Sequence, residues 1–473
     1  MENRLQQLAT LFRNVVLNAA GVERDFLSLI RDRDIDKAVG LLQDRHEDVD
    51  EAIREYNPQT HRVMNRADKL RRGADPYVTE KLPRSRQRYI NEVELFFLLG
   101  TPVKYKKIDG SDEAYDLFVD FIKSYRIDAL HRQLKRLAGS ETEAALVYHL
   151  FQEDGQIQCK PFIVARSTGY DLRPLFDQYG NLLALGYGYQ VKGSAGARQH
   201  WDILTPEANF ECVKDGPGMW DVETRENVTG KILAIYARQS KAWDGVERRI
   251  EREEDMDSKI GDSNNYFADP IAFATADVVQ LMAPGEADRV GRLIQYSGRE
   301  SQFGYIDPPQ NSEARRDEKA DLAFSILFDS FTPDFSYETI KGLGTLSGEA
   351  MENAMILGFI KRANRIEIYG ELLDREVNVI KAVLKVLHPQ MSATIDALQV
   401  EVEFQSPFMK QNTSLWQNIS ALYQSGVVSL ETAVELLSLT DAPQEEIEKI
   451  RGAQADAFRM QAAARAGQFP AGD

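Results

Sequence analysis

The sequence has little cysteine and histidine, and both shortages exclude classes of site. Its 473 residues include two cysteines, Cys159 and Cys212, and six histidines. Two cysteines cannot build a disulfide framework, so we expect a reducing compartment and two buried free thiols. No histidines stand at HxH or HxxxH spacing and no CxxC occurs, so a zinc site has no support. We therefore predict no metal and no cofactor.

The sequence also lacks long apolar runs and nucleotide or hydrolase motifs. No run approaches the ~18 uncharged apolar residues of a membrane-spanning helix. The first 21 residues lack the basic start and apolar centre of a secretory signal, so we expect no membrane partner. There is no GxxxxGK[ST] loop and no GxSxG turn. The glycine-rich stretch Gly342–Gly348 has neither a preceding apolar strand nor a final Lys-Ser/Thr pair.

Positive charge is in deficit. Lysine and arginine number 57 against 74 acidic residues, a formal net charge of −17. An extended basic surface, the usual footprint of tight DNA binding, is not indicated. An acidic wall would instead repel phosphate and let a nucleic acid slide.

The arrangement of patterns predicts an α+β fold. Residues 1 to about 72 and Asp112–Ala138 are amphipathic and helical in pattern. The run RYINEVELFFLL ends at Gly100-Thr101-Pro102, where a short strand should follow. From 143 to 238 the alternation has period two, with turns at Glu153–Gly155, Asp177–Gly180 and Lys192–Gly196. No crossover helices separate these strands, so we predict antiparallel pairing.

Two charged segments flank a small β-type insert. Trp243–Asp269 and Asn311–Phe328 have helical patterns, and sparse apolar points leave three interpretations of the first: a solvated helix, a linker, or a helix whose partner is another subunit. Upstream, a basic cluster precedes the apolar helical run Val93–Leu99: Lys81, Arg84, Arg86 and Arg88. It is either a solvated turn or a contact to phosphate or to another subunit.

The stretch 329–387 joins a glycine-interrupted loop to a long helical pattern. Pro333, Gly342, Gly344 and Gly348 prevent one regular element at its start. Ser347 is a candidate N-cap for a helix of about 40 residues and ~60 Å. Glu367 and Glu371 on this helix form either a solvated face or, in a metal-hydrolase hypothesis, a carboxylate pair.

Five motifs resemble those of the portal (head-to-tail connector) proteins of tailed bacteriophages, of siphophage-like type, and they occur along the chain in the same order as in that family. The most specific is KGLGTLSGEAMENAMILGFIKRAN, similar to the SG-x-A start of that family's long helix at Ser347, Gly348 and Ala350. TPDFSYETIKGLG precedes it. RYINEVELFFLLGTPVKY, ALVYHLFQEDGQI and SGVVSLETAVELL also resemble family elements. The resemblance covers roughly residues 50 to 450.

The resemblance implies a portal fold and a division of the chain. The expected regions are a wing (1–240, with the β module at about 143–238), two stem helices (246–270 and 311–329), a clip (271–310), a tunnel loop (330–346), the long wing helix (347–387) and a crown with tail (388–473). The ring's thickness would explain the helix length.

The resemblance also implies site residues. The tunnel loop would contribute channel residues: Phe331, Thr332, Asp334, Tyr337, Lys341, Gly342 and Gly344. Lys341 is the only cation between Asp329 and Glu349, and so the best candidate for a phosphate contact or, alternatively, a solvated lysine. Phe331, Phe335 and Tyr337 would either pack or face the channel.

The clip would dock terminase or an adaptor through Pro270, Pro284, Gly285, Arg289, Arg292, Arg299 and Pro308. The stem would make subunit contacts through Arg248, Arg249, Arg252, Arg315, Arg316 and Lys319.

The expected function is mechanical and not enzymatic. By resemblance, copies of the chain form a ring of about twelve at one capsid vertex of the virion, assembled in the host bacterial cytoplasm, through which double-stranded DNA enters and leaves. The implied partners are the large terminase, the capsid or scaffold protein and a head-completion adaptor. The alternative is an oligomeric adaptor or scaffold that binds partners through its charged helices.

Overall fold

The computed structural model describes residues 26–68, 78–193, 196–216, 218–268, 272–274, 303–305, 312–337, 339, 341, 355–407, 413–437 and 443–466. The chain divides into two compact units. The first comprises Met1–Ser336 and Met355–Pro407, and the second comprises Tyr337–Ala354 and Phe408–Asp473.

Helices account for much of the first unit. In chain order they are α1 Ile35–Leu41, α2 His46–Tyr56, α3 Arg86–Leu99, α4 Asp112–Ser124, α5 Ile127–Glu141, α6 Glu247–Ala268, α7 Ser312–Asp329, α8 Ile356–Leu387 and α9 Ser392–Ala397. Local chemistry sets several of their ends. Ser111, for example, caps α4 by accepting the Ala114 N–H at 3.2 Å, and two acids follow in the first turn.

The strands pair antiparallel throughout the described residues. They are β1 Lys104–Asp109, β2 Glu143–Glu153, β3 Gln156–Val164, β4 Asp171–Phe176, β5 Leu182–Gly193, β6 Gly196–Leu204, β7 Ala208–Asp215, β8 Asp221–Glu226, β9 Ala234–Arg238, β10 Ala272–Ala274, β11 Phe303–Tyr305 and β12 Gln399–Glu403. They form sheets of order β3-β2-β9, β4-β5-β6-β7-β8, β1-β12 and β10-β11.

Register confirms the three turns expected from the sequence. Glu153 pairs with Gln156, Gly193 pairs with Gly196, and the turn between β4 and β5 contains Gly180 at φ 88°. The period-two segment is therefore antiparallel, as predicted, but it divides into two sheets. These pack face to face through Val147, Val164, Leu185 and Tyr187, which are all buried.

The largest core surrounds the second half of α8. Buried apolar side chains of α3, α4, α5, β2 and β9 meet Leu373, Val377 and Ile380 there. Glu376 is fully buried in this core and accepts hydrogen bonds from the Tyr148 hydroxyl and from His131 Nε2 at 2.6 Å. The helix therefore buries its apolar stripe in its own chain, so its length does not require the ring thickness invoked from the sequence.

The start of the long helix differs from the sequence prediction. The helix begins at Ile356, and its N-cap Met355 makes no side-chain capping bond. At 32 residues its length is ~48 Å rather than ~60 Å. The predicted N-cap Ser347 precedes this helix and, with residues 342–354, lies outside the described residues.

The strand predicted near 400 exists, but its partner was not foreseen. β12 pairs with β1, which is almost 300 residues earlier in the chain, with Lys104 opposite Glu403 and Lys106 opposite Glu401. Because residues 388–407 pack in the first unit, the predicted crown boundary at 388 does not coincide with the division into units.

The second unit contains three described helices: α10 Thr413–Gln424, α11 Leu430–Leu437 and α12 Pro443–Ala466. Ile419, Val434 and Ile447 are buried within it. Arg451 on α12 pairs with Glu431 on α11. Among the described helices of both units, none is long and apolar enough to span a bilayer.

A close crossing between α8 and α3 gives a test of the packing. A Cβ added at Gly358 would overlap the ring of Phe97, whereas one added at Gly370 on the same helix would meet no atom within 4 Å. We expect Gly358→Ala to destabilise the protein by about 1–3 kcal/mol through overpacking. Gly370→Ala should stabilise it by ~0.5–1 kcal/mol, because alanine favours the helix. Denaturant unfolding of the two variants measures both effects, and equal effects would contradict this packing.

Candidate functional site

The segment after α7 is anchored from its first residues. Phe331 turns the chain with φ of 50°, in the left-handed region. The Thr332 N–H then donates to the Leu327 carbonyl at 2.8 Å, and the hydroxyls of Ser330 and Thr332 lie 2.9 Å apart. Thr332 is 1% exposed. Its side chain faces the protein interior, and a role of Thr332 in a channel stays a prediction.

Tyr89 of α3 holds the next residues. Its hydroxyl donates to the Pro333 carbonyl at 2.8 Å and accepts the Phe335 N–H at 2.7 Å. The Phe335 ring packs against Phe96 and Phe97 at centroid distances of 6.0 and 6.2 Å. Of the two interpretations left open for Phe335, packing therefore describes this structure.

Lys361 of α8 binds the end of α7 from the other side. We call the contacts of Tyr89, Glu94 and Lys361 around residues 330–335 the junction. Its ammonium donates to the Ala242 carbonyl at 2.8 Å and to the Ser330 carbonyl at 3.0 Å, and it lies 3.2 Å from the Glu94 carboxylate. An ammonium has three N–H donors, and here each has an acceptor. The side chain thereby joins α8, α3, the chain just before α6 and the end of α7.

Glu94 of α3 is the acceptor shared by several buried cations. Lys135 and Arg365 lie 2.6 and 2.9 Å from it, in addition to Lys361. Burial alone would raise the pKa of Glu94, but these cations hold that pKa well below its ordinary value. Burial lowers the pKa of Lys361 to about 8 despite Glu94. One buried carboxylate thus faces three cations, more than it can neutralise, and Gln239 donates to it as well at 3.2 Å.

Helix α6 carries a buried acidic face that binds the upstream segment 61–86. Glu253, Glu254, Asp257 and Asp262 are all less than a tenth exposed. Arg86 donates to both oxygens of Glu253, at 2.7 and 2.9 Å. Glu253 is therefore neutralised inside the chain, and the burial of this face excludes a linker or a fully solvated helix for this segment.

Further contacts complete this face. The Arg84 Nε lies 2.6 Å from Asp257, and Arg66 lies 2.8 Å from Asp262. His61 donates from one ring nitrogen toward Glu254 at 2.6 Å and from the other toward the Glu55 carbonyl at 2.7 Å. Burial alone would lower the pKa of His61, but these partners raise it above its ordinary value. The basic cluster at 81–86 is thus neither a free turn nor a phosphate site: Arg84 and Arg86 bind α6.

Three of the six predicted stem contacts have partners within the chain. Arg249 pairs with Asp329, Arg252 with Glu318 at 2.6 Å, and Lys319 with Asp257 at 2.6 Å. These bonds connect α6 to α7. Arg248, Arg315 and Arg316 also lie on these helices, and the role of all six in subunit contacts stays a prediction.

The other predicted residues are only partly described. Phe331 is 43% exposed and Tyr337 is 76% exposed, and Lys341 is also exposed. Asp334 accepts the Ser336 N–H at 2.8 Å, which closes a local turn. The remaining loop, helix-start and clip residues lie outside the described residues: Gly342, Gly344, Ser347, Gly348, Ala350, Pro270, Pro284, Gly285, Arg289, Arg292, Arg299 and Pro308.

The residues that build this junction were not predicted from the sequence. Glu94 interrupts the apolar run Val93–Leu99, and Lys361 interrupts the apolar stripe of the long helix. A lone charge inside an apolar pattern was the available signal, since such a charge needs a partner. On the same helix, the exposed Glu367 and Glu371 belong to no metal-binding group, and the described residues contain no cluster of three histidine, cysteine or acidic ligands.

Comparison with known proteins gives a family match over most of the chain. The family described as phage portal protein, SPP1 Gp6-like, matches residues 42–458. No curated protein matches the sequence.

Solved structures resemble the chain distantly. The neck of a native GTA particle computed with C12 symmetry is 13% identical, with 75% of this chain and 91% of that chain covered and a TM-score of 0.41. The virion of a native gene transfer agent particle is also 13% identical, with 75% of this chain and 89% of that chain covered and a TM-score of 0.39. The neck of an empty GTA particle computed with C6 symmetry is 13% identical, with 83% of this chain and 94% of that chain covered and a TM-score of 0.38. Likenesses of this degree support no conclusion about function.

The junction predicts a specific effect of losing Lys361. Lys361→Met leaves the Ala242 carbonyl without this donor and the Ser330 carbonyl with only the Thr332 hydroxyl. We therefore expect a loss of about 1–3 kcal/mol in unfolding free energy. Amide hydrogen exchange in residues 330–336 should accelerate, because one anchor of that segment is gone. Lys385→Met on the same helix is the control: its exposed pair with Asp396 should contribute less than about 1 kcal/mol. Unchanged exchange in Lys361→Met would refute the anchoring role.

Proposed function

Because the chain belongs to the SPP1 Gp6-like phage portal protein family, we propose that its copies form a ring, of about twelve subunits, at one capsid vertex, and that DNA enters and leaves through the ring's channel. The family is structural and non-enzymatic. The family match over residues 42–458 is the observation that carries the proposal.

The proposed regions follow the order of elements along the chain. The wing comprises 1–240 and the long helix 347–387, and the stem comprises 246–270 and 311–329. The pairing of α6 with α7 through Arg252–Glu318 and Lys319–Asp257 supports a two-helix stem. The clip is 271–310, the tunnel loop is 330–346, and the crown with tail is 388–473.

In this proposal the tunnel loop meets the DNA beyond its anchored start. The contacts of Thr332, Pro333 and Phe335 restrain the first residues, so the proposal assigns the DNA contact to residues after Ser336. Gly342 and Gly344 allow backbone conformations that other residues resist. Lys341 is the loop's one cation and supplies the phosphate contact. The chain's net charge of −17 keeps other contacts to DNA weak, which favours sliding over binding.

The clip supplies the docking platform. Terminase would bind there during packaging and head-completion adaptors afterwards, while the capsid or scaffold protein contacts the outer part of the ring. Assembly would take place in the host bacterial cytoplasm, and the product is a virion component.

The ring itself is the first test. We expect purified protein, alone or with its capsid and scaffold proteins, to form closed rings with a central channel in negative-stain electron microscopy. Rings arise because a heterologous interface that closes repeats around one axis. A monomer under every salt and protein concentration, with and without those partners, would contradict the proposal and favour a non-portal adaptor.

The loop lysine is tested separately. Lys341→Glu should leave rings intact and reduce DNA packaging, because it replaces the loop's one attraction for phosphate with a repulsion. Lys341→Arg keeps the charge and should package normally. Packaging is measured as nuclease-protected DNA per particle, and normal packaging by Lys341→Glu would remove Lys341 from the channel.

A further inference from the structure

Helix α7 turns one face to its own chain. Ile326 is fully buried in a cluster with Ile250 and Val246 of the α6 region. Lys319 lies close to the same side, about 20° from Ile326 at ~100° per residue, and pairs with Asp257 of α6 at 2.6 Å. The intrachain contacts of α7 with α6 therefore centre on this side of the helix.

The opposite face of α7 combines acids with two phenylalanines. Five residues lie about 140–180° around the helix from Ile326: Glu313, Asp317, Asp321, Phe324 and Phe328. We call this set the α7 outer face. Phe324 and Phe328 are 66% and 50% exposed, and their rings stack at 5.6 Å. Asp317 and Asp321 make no hydrogen bond or ion pair with another described residue. Two large apolar rings exposed together on a helix indicate a surface that becomes covered.

Helix α6 presents the opposite charge on its own outward side. Three basic residues lie about 160–180° from the buried Ile250: Arg248, Arg252 and Lys259. We call these the α6 outer face. Asp255 lies close to the α6 outer face. The three basic side chains outnumber this one acid, so the face has a net positive charge. Arg252 is also bonded to Glu318, whereas Arg248 and Lys259 have no polar partner among the described residues.

The two outer faces match in height as well as in charge. The helices are antiparallel, because Arg249 near the start of α6 pairs with Asp329 at the end of α7, and Asp257 pairs with Lys319. Continuing this register puts Lys259 level with Asp317, Arg252 level with Phe324 and Arg248 level with Phe328. Asp321 is the exception, because it comes level with Asp255. Rotation about an axis along the helices brings equal heights of neighbouring copies together. An arginine over an aromatic ring is itself an attractive contact.

We propose that the α7 outer face of each copy packs against the α6 outer face of the next copy. The inference rests on the proposed ring and names the surfaces that close it. It assigns subunit contacts to Arg248 and Lys259, which have no polar partner among the described residues, rather than to Arg252 and Lys319, whose charges are paired inside the chain. The partner is a second copy because one chain carries both complementary faces, which a heterologous interface requires.

Charge reversal on each face tests the proposal. One variant carries Glu313→Lys with Asp317→Lys, and the other carries Arg248→Glu with Lys259→Glu. Two sites are reversed at once because one exposed ion pair contributes little. Each variant alone should lose at least tenfold in ring yield, since residues 317 and 259 then carry like charges at every interface. Native mass spectrometry and negative-stain microscopy measure the yield.

Mixing the two variants gives the decisive result. In a ring where the variants alternate, reversed α7 faces meet reversed α6 faces and unchanged faces meet unchanged ones. The mixture should therefore recover rings, with even numbers of subunits and alternating composition. A defect caused by damage within one chain would not be repaired by mixing.

The control reverses two other exposed acids at the same helical spacing, Asp116→Lys with Asp120→Lys on α4. It changes the net charge equally and should form rings. Rings in both test variants, no recovery on mixing, or loss of rings in the control would each overturn this interface, and normal rings with altered packaging would assign the α7 outer face to the channel. Absence of wild-type rings, in contrast, would overturn the proposed function itself.

Discussion

The junction of this protein depends on one buried carboxylate with more cations than it can neutralise. Glu94 receives Lys135, Lys361 and Arg365, and burial makes each of these contacts far stronger than it would be in water. The surplus charge of Lys361 is stabilised by main-chain carbonyls instead. Because those carbonyls belong to Ala242 and Ser330, the electrostatic balance of the core fixes where two other segments begin and end.

The same principle sorts the charges of α6. Its inner acids, Glu253 and Glu254, could not be buried without the cations of segment 61–86, since an unpaired buried charge costs several kcal/mol. Its outer side carries bases that remain in solvent. Helix α6 therefore has two different surfaces. Its acidic side binds other segments of the same chain, and its basic side is available to a partner. Composition alone cannot separate them, and the intrachain pairs of Arg84 and Arg86 do.

Local patterns predicted the local elements well, because they report on contacts close in sequence. Period-two alternation and glycine turns located the β2–β3 and β5–β6 hairpins, and the apolar stripe located α8. Long-range pairings were not predictable. The partner of β1 comes almost 300 residues later, and Glu94 meets Lys361 across a similar span. The burial of Thr332 was not predictable either, because nothing in the sequence distinguishes it from an exposed polar loop residue.

The start of the segment after α7 is held by the body of the first unit. Tyr89 binds Pro333 and Phe335 to α3, and Lys361 binds Ser330 to α8. The left-handed Phe331 adds a conformation that neighbouring contacts must maintain. The position of residues 330–336 therefore follows from the hydrogen bonds of Tyr89 and Lys361 and not from the sequence of the segment alone.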